Sequence, residues 1–217
     1  MISALIPTRQ RPKRFRNTVE SLLKTKKGEV EIISYVDEND PELEAYQKLS
    51  FTELRLLVRE RAGLALIIHR LIEAASHQVM FLGADDIEFV TPGWDVKMKD
   101  ALPEDGIGLV YCNDNWKQTC NHFMFHRKWV SLTGFFPDDF EHFGPDGYVM
   151  DVAKELKRNI YLKDVVIEHH HHKNGKAKMD ETYQYPQMHN AASRDIKKNK
   201  DYAWKKKKDV EVLREYI

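Results

Sequence analysis

Four short apolar runs, at residues 2–6, 31–36, 54–58 and 79–82, are separated by segments whose apolar positions recur at helical spacing. Phe15, Val19, Leu22 and Leu23 mark one such helix, and residues 64–75, preceded by Gly63, mark another. Strands alternating with crossover helices make a mostly parallel sheet the economical architecture, because each helix covers one sheet face. The expected fold class is therefore α/β, although residues 54–58 would also suit a helix.

Beyond Pro92-Gly93-Trp94 the alternation loosens. Residues 107–112 and 119–125 read as strands, 148–156 as a helix, and 161–167 as a last strand running into His169-His170-His171-His172. No internal repeat or long linker occurs. At 217 residues the chain is long enough for one good core.

Bulk properties exclude several classes. Lys+Arg 34 against Asp+Glu 34 leaves no global field toward nucleic acid or membrane. Cys112 and Cys120 are too few for a disulfide scaffold. The apolar start ends at Pro7, too short for a signal sequence, and no run approaches the roughly 20 apolar residues that span a bilayer. A soluble, cytoplasmic protein is the expectation.

The segment 194–217 differs from the body at 1–193. Lys197, Lys198, Lys200 and Lys205 to Lys208 are interleaved with Tyr202 and Trp204. Such a run is a solvated helix or mobile tail, or else a patch for phosphates or an anionic acceptor, nucleic acid included.

The run at 79–82 continues through Gly83-Ala84 into Asp85-Asp86, so a strand delivers adjacent carboxylates to its C-terminal end. In an open α/β sheet ligands bind at that edge, and paired hard oxygens there suit a divalent cation. Two carboxylates rarely complete a coordination sphere, and the four histidines are candidate partners. If that stretch is extended, His169 and His171 share one face, and His170 and His172 the other. A competing set, Cys112, Cys120, His122 and His126, has zinc-ligand types but no usual spacing.

Glu141-His142-Phe143-Gly144-Pro145-Asp146-Gly147 is an acidic loop opening a helix. Asp146 there could cap the helix or serve as a general base. Trp129 reads as core, and Trp116 as an acceptor contact.

In order and spacing these pieces resemble the nucleotide-sugar-dependent glycosyltransferases of the GT-A fold, especially the family-2-like inverting enzymes. The matching elements are Ile6-Pro7-Thr8-Arg9, Val36-Asp37, Arg61-Ala62-Gly63, Leu82-Gly83-Ala84-Asp85-Asp86, Pro92-Gly93-Trp94, Gly144-Pro145-Asp146 and His169-x-His171, with Asp180-Glu181-Thr182-Tyr183 behind it. The resemblance covers residues 1 to 185 and implies a single GT-A domain. It also implies that Pro7, Thr8, Arg9, Asp37, Arg61, Gly63 and Asp86 bind the donor. Asp85 with His169 and His171 would hold Mn²⁺ (or Mg²⁺), and Asp146 would be the base. Gly83 replaces the first aspartate of the family's Asp-x-Asp motif, removing a usual contact to the donor ribose or metal. Two alternatives remain: a non-catalytic nucleotide-sugar-binding module, for which Gly83 argues, and a sugar nucleotidylyltransferase, against which the absence of glycines around Thr8 argues.

Overall fold

The computed structural model describes residues 1–116 and 121–217. In chain order its elements are β1 (Ile2–Pro7), α1 (Pro12–Thr25), β2 (Val30–Asp37), α2 (Leu43–Gln47), β3 (Leu54–Arg59), α3 (Leu64–Ala74), β4 (Val79–Leu82), β5 (Ile87–Phe89) and α4 (Trp94–Asp100). There follow β6 (Leu109–Asn113), β7 (Phe123–His126), α5 (Arg127–Thr133), α6 (Pro145–Glu155), β8 (Asn159–His169), a 3-10 turn (His172–Asn174), α7 (Glu181–Met188), α8 (Ala191–Asp201) and α9 (Ala203–Arg214). The ambiguous 54–58 segment is a strand at the sheet edge.

The sheet order is β3-β2-β1-β4-β7-β6-β8-β5. β1 to β4 are mutually parallel where they pair, as are β6 and β8, while β7 and β5 run antiparallel to their neighbours. The antiparallel pairing of β6 with β7 has a local cause: no helix lies between them among the described residues, and parallel neighbours need a long crossover.

Both sheet faces are covered, which is why the strands are apolar at successive positions. Leu5, Ile33, Tyr35, Met80 and Leu82 point to one side, under α3, α5, α6 and α9. Ala4, Ile6, Ile32, Val36 and Phe81 point to the other, against Phe15, Val19 and Leu22 of α1 and Trp94 and Met98 of α4. Trp94 and Trp129 are both fully buried, as core residues should be.

The lysine-rich segment forms the rest of α8 and all of α9. Val210 and Leu213 of α9 enter the core, and the Tyr148 hydroxyl of α6 donates to Asp209 at 2.7 Å. Lys205 and Lys206 turn inward to Asp209 and Asp151, at 2.8 and 2.6 Å. Lys207 and Lys208 face solvent.

Candidate active site

The C-terminal ends of β1, β2 and β4 open onto a cavity of about 830 Å³. Pro7, Thr8, Arg9, Asp37, Arg61, Gly63 and Asp85 line it, together with Glu141, His142 and the inner side of α7. All of these except Gln184, Tyr185 and Met188 of α7 belong to motifs or loops read from the sequence, and β-strand order alone brings the first three segments together. Arg9 pairs with Asp37. Burial raises the Asp37 carboxyl above its usual range against the pull of that arginine. Its Oδ1 is buried and lacks a hydrogen-bond partner among the described residues.

Gly63 is required by close approach. A Cβ there would lie 2.9 Å from the Phe140 carbonyl oxygen, onto which the start of α3 docks through Leu64 N–H to Glu141 O at 2.9 Å and Ala65 N–H to Phe140 O at 3.2 Å. Gly83 has a comparable reason. A Cβ at that position meets the buried Phe81 ring at 2.9 Å and Ile87 at 3.2 Å, so an aspartate there would have to displace core side chains.

The two adjacent carboxylates have separate partners. Asp85 accepts from the Thr8 hydroxyl at 2.8 Å and from Arg11 Nη1 at 3.0 Å. Asp86 accepts from the Tyr183 hydroxyl at 2.5 Å, and its Oδ1 lies 3.4 Å from His169 Nε2. Burial pushes the Asp85 carboxyl up to about 6, with the charge of Asp86 adding to it and Arg11 opposing. Burial acts on Asp86 too, but His169, Tyr183 and Arg11 together outweigh it and hold that carboxyl well below the usual range.

Arg11 is the centre of this cluster, and the sequence reading did not single it out. It is buried, forms a bidentate pair with Asp180 at 2.9 and 2.7 Å, lies 3.6 Å from Asp86, and stacks over the Tyr183 ring at 4.0 Å. Burial opposes its charge, yet Asp85, Asp180 and Asp86 raise its pKa. Only its place after Thr8-Arg9-Gln10 could have flagged it.

His169 and His171 share a face as alternation predicts, their rings 5.2 Å apart and both against Trp116, but His172 departs from it. β8 ends at His169, so the extended run stops and a 3-10 turn begins at His172. His172 consequently lies beside His171, with rings 4.2 Å apart, while His171 stacks on Trp116 at 5.0 Å and its Nδ1 accepts from Lys173 N–H. Burial and the neighbouring His169 bring its pKa down to about 4. His170 turns toward Glu88 and Glu168, at 3.1 and 3.6 Å. Those three residues are the group among the described residues with three potential ligand atoms within 4.8 Å of one another, and Lys176 pairs with Glu168 there.

A divalent cation with metal–ligand bonds of about 2.1 Å sets adjacent ligands about 3 Å apart. The spacing of Asp86 Oδ1 and His169 Nε2 fits that requirement, and a carboxylate with an imidazole is a donor set compatible with Mn²⁺. In the zinc reading, Cys112 belongs to the apolar core and His126 Nδ1 accepts from Lys128 N–H to cap α5, while Cys120 lies outside the described residues.

Asp146 sits in the first turn of α6. Burial raises its carboxyl, against backbone N–H groups of Gly147, Asp146 and Gly144. The cavity wall itself holds Glu141 and His142 from the preceding loop. Glu141 is tied to Arg194, which lowers its pKa. The loop is anchored by Asp195 of α8, fully buried and accepting from the N–H groups of Glu141, His142 and Phe143 at 3.0, 2.9 and 2.9 Å. Nothing in the lysine-rich sequence distinguishes Asp195 from a solvated acid.

No helix among the described residues is long and apolar enough to cross a membrane. Comparison with known proteins now gives the architecture a family. No curated protein sequence matches the chain. Among solved structures, a mannosyltransferase from Pyrobaculum calidifontis, PcManGT, in complex with GDP-Man and Mn²⁺, superposes with a TM-score of 0.66 at 15% identity, covering 96% of this chain and 73% of that one. S. aureus TarS 1-349 superposes at 0.58 with 14% identity, covering 76% and 59%. Its complex with UDP gives 0.57 at 12% identity over the same shares. The model of the family "Glycosyl transferase family 2" matches residues 3–163, and the chain is accordingly a member of that family, built on the GT-A fold.

Proposed function

We propose that the protein transfers a sugar from a nucleotide-sugar donor to an acceptor hydroxyl, with inversion at the anomeric carbon. The observation that carries this reading is the polarity of the cavity. The unpaired Asp37 carboxylate oxygen lies on its β2 side, suited to a base or ribose donor group, and the Asp85-Asp86 cluster lies after β4. Those groups suit opposite ends of a nucleoside diphosphate. Arg9 and Arg61 on the wall supply positive charge along the way.

Asp86 and His169 would hold Mn²⁺ or Mg²⁺, with Asp85 beside them. The cation would neutralise charge developing on the leaving diphosphate. Arg11 already contributes a fixed positive charge within hydrogen-bond reach of Asp85, so the carboxylates remain organised while a donor enters. His171 is the weaker ligand candidate because its Nδ1 is engaged by Lys173. Asp146, in the first turn of α6 just behind the Glu141 and His142 wall, is our choice of base on its motif position, and burial raises its carboxyl. Glu141, held by Arg194, is less basic.

The test is calorimetric titration of UDP, GDP, CDP and dTDP, with and without Mn²⁺, into wild type, Asp86→Ala and His169→Ala. Metal-dependent binding of one nucleotide, weakened in both variants, is expected. No binding by the wild type would overturn the reading in favour of a degenerate member of the fold or a different function. With the nucleotide known, Asp146→Asn should bind the matching donor normally and fail to turn it over, and wild-type turnover would refute the base assignment.

A further inference from the structure

We propose that the junction of α8 and α9 is a docking surface for an anionic lipid bilayer. The chain balances Lys+Arg 34 against Asp+Glu 34, yet residues 194–217 hold nine basic side chains against five acidic ones. The molecule is thus polarised, with the excess positive charge at one end of the sequence.

What matters is which charges remain available. Arg194, Lys198, Lys205, Lys206 and Arg214 are spent on carboxylates of the protein. Lys197, Lys200, Lys207 and Lys208 have no acidic partner among the described residues, and all are exposed. Ile196 lies next to Lys197 and four residues before Lys200, and Trp204 lies four residues after Lys200 and three before Lys207; the two are 58% and 65% exposed. An indole and a branched alkyl group left in water beside unpaired lysines match the chemistry of a bilayer interface. Indole partitions to the headgroup level, and lysine stems run along it to reach lipid phosphates.

Single-stranded nucleic acid would also attract the lysines and could stack on Trp204. Ile196 has no counterpart in that mode, whereas a bilayer accepts both apolar groups at once. The surface also has a direct structural link to the cavity. Asp195, on the buried side of α8, anchors the loop carrying Glu141 and His142, and Met188 and His189, just before α8, line the cavity. Docking through α8 would bring the cavity rim beside the membrane. This inference does not depend on the transferase reading.

The full chain should cosediment with vesicles of phosphatidylcholine mixed with phosphatidylglycerol and not with pure phosphatidylcholine, and added salt should release it. Replacing Lys197, Lys200, Lys207 and Lys208 by Ser should weaken binding at least about tenfold. Vesicle binding should blue-shift tryptophan emission in wild type and not in Trp204→Ser. Circular dichroism like wild type would establish that both variants fold. Absent binding, equal binding to both vesicle types, an unchanged affinity in the lysine variant, a blue shift that survives Trp204→Ser, or tighter binding of a single-stranded oligonucleotide than of anionic vesicles would each overturn the proposal.

Discussion

Replacing Arg11 by alanine tests whether the carboxylate cluster is held by this one guanidinium. The substitution removes the 3.0 Å contact to buried Asp85, the 3.6 Å approach to Asp86 and the bidentate pair with Asp180. Taking one partner from a buried ion pair costs about 3–5 kcal/mol, because the remaining charge stays buried and uncompensated. Asp180 is 30% exposed in its side chain and water can replace part of its contact, so its share is about 1 kcal/mol. Most of the loss therefore belongs to Asp85. Its folded pKa is raised, to about 6, so its contribution to stability is fully present below the ordinary carboxylate value and is lost as pH rises through about 6. Without Arg11 the folded pKa climbs further, and the penalty of Arg11→Ala grows with pH. Asp86 has the opposite sign: its depressed pKa favours folding above the unfolded value and loses that support in acid. Urea unfolding with chelator present should show a loss of about 4 kcal/mol near pH 8, shrinking to about 1–2 kcal/mol near pH 5. A loss that is equal at both pH values, or below about 1 kcal/mol at the higher one, would refute the reasoning.

Two further outcomes follow from the loop between α5 and α6. Asp195→Asn replaces one acceptor oxygen by an amide that faces N–H donors, so about 2–4 kcal/mol of stability should be lost and amide exchange at Glu141, His142 and Phe143 should accelerate. Unchanged exchange there would show that Asp195 does not hold the loop. Gly63→Ala places a methyl 2.9 Å from the Phe140 carbonyl, and should cost about 1–3 kcal/mol while weakening nucleotide binding, with an unaltered urea midpoint counting against the packing argument.

Much of the fold was legible because it rests on local pattern. β1, β2 and β4 and helices α1 and α3 coincide with apolar runs and helical spacings. β3 was ambiguous because it is an edge strand, with its side chains only partly buried. The antiparallel insertion of β7 between β4 and β6 is a matter of topology, on which periodicity is silent. In the site, Thr8, Arg9, Asp37, Arg61, Gly63 and Asp85 share the cavity wall as their motif positions suggested. Arg11 and Asp195 escaped notice because their importance comes from burial and from partners far along the chain. The histidine run was misjudged at His172 for a different reason: where β8 stops is decided by β5, which pairs only as far as His169. The separate environments of Asp85 and Asp86 are likewise tertiary, since adjacent carboxylates look alike in sequence.

Arg11 meets Asp180 across 169 positions, Gln10 meets Glu181 across 171, and Thr182 meets the Arg9 carbonyl across 173. Closing a loop of that size costs more chain entropy than joining β1 to β2 or β4, and such distant contacts form late in folding. The sheet can thus assemble while Asp85 and Asp86 remain hydrated, and their dehydration waits for the 178–185 segment to dock on the opposite end of the chain. By the same entropy, this closure opens first when the protein is stressed. Mild denaturant should expose the carboxylates while β1, β2 and β4 remain paired, so binding competence would vanish before the fold does.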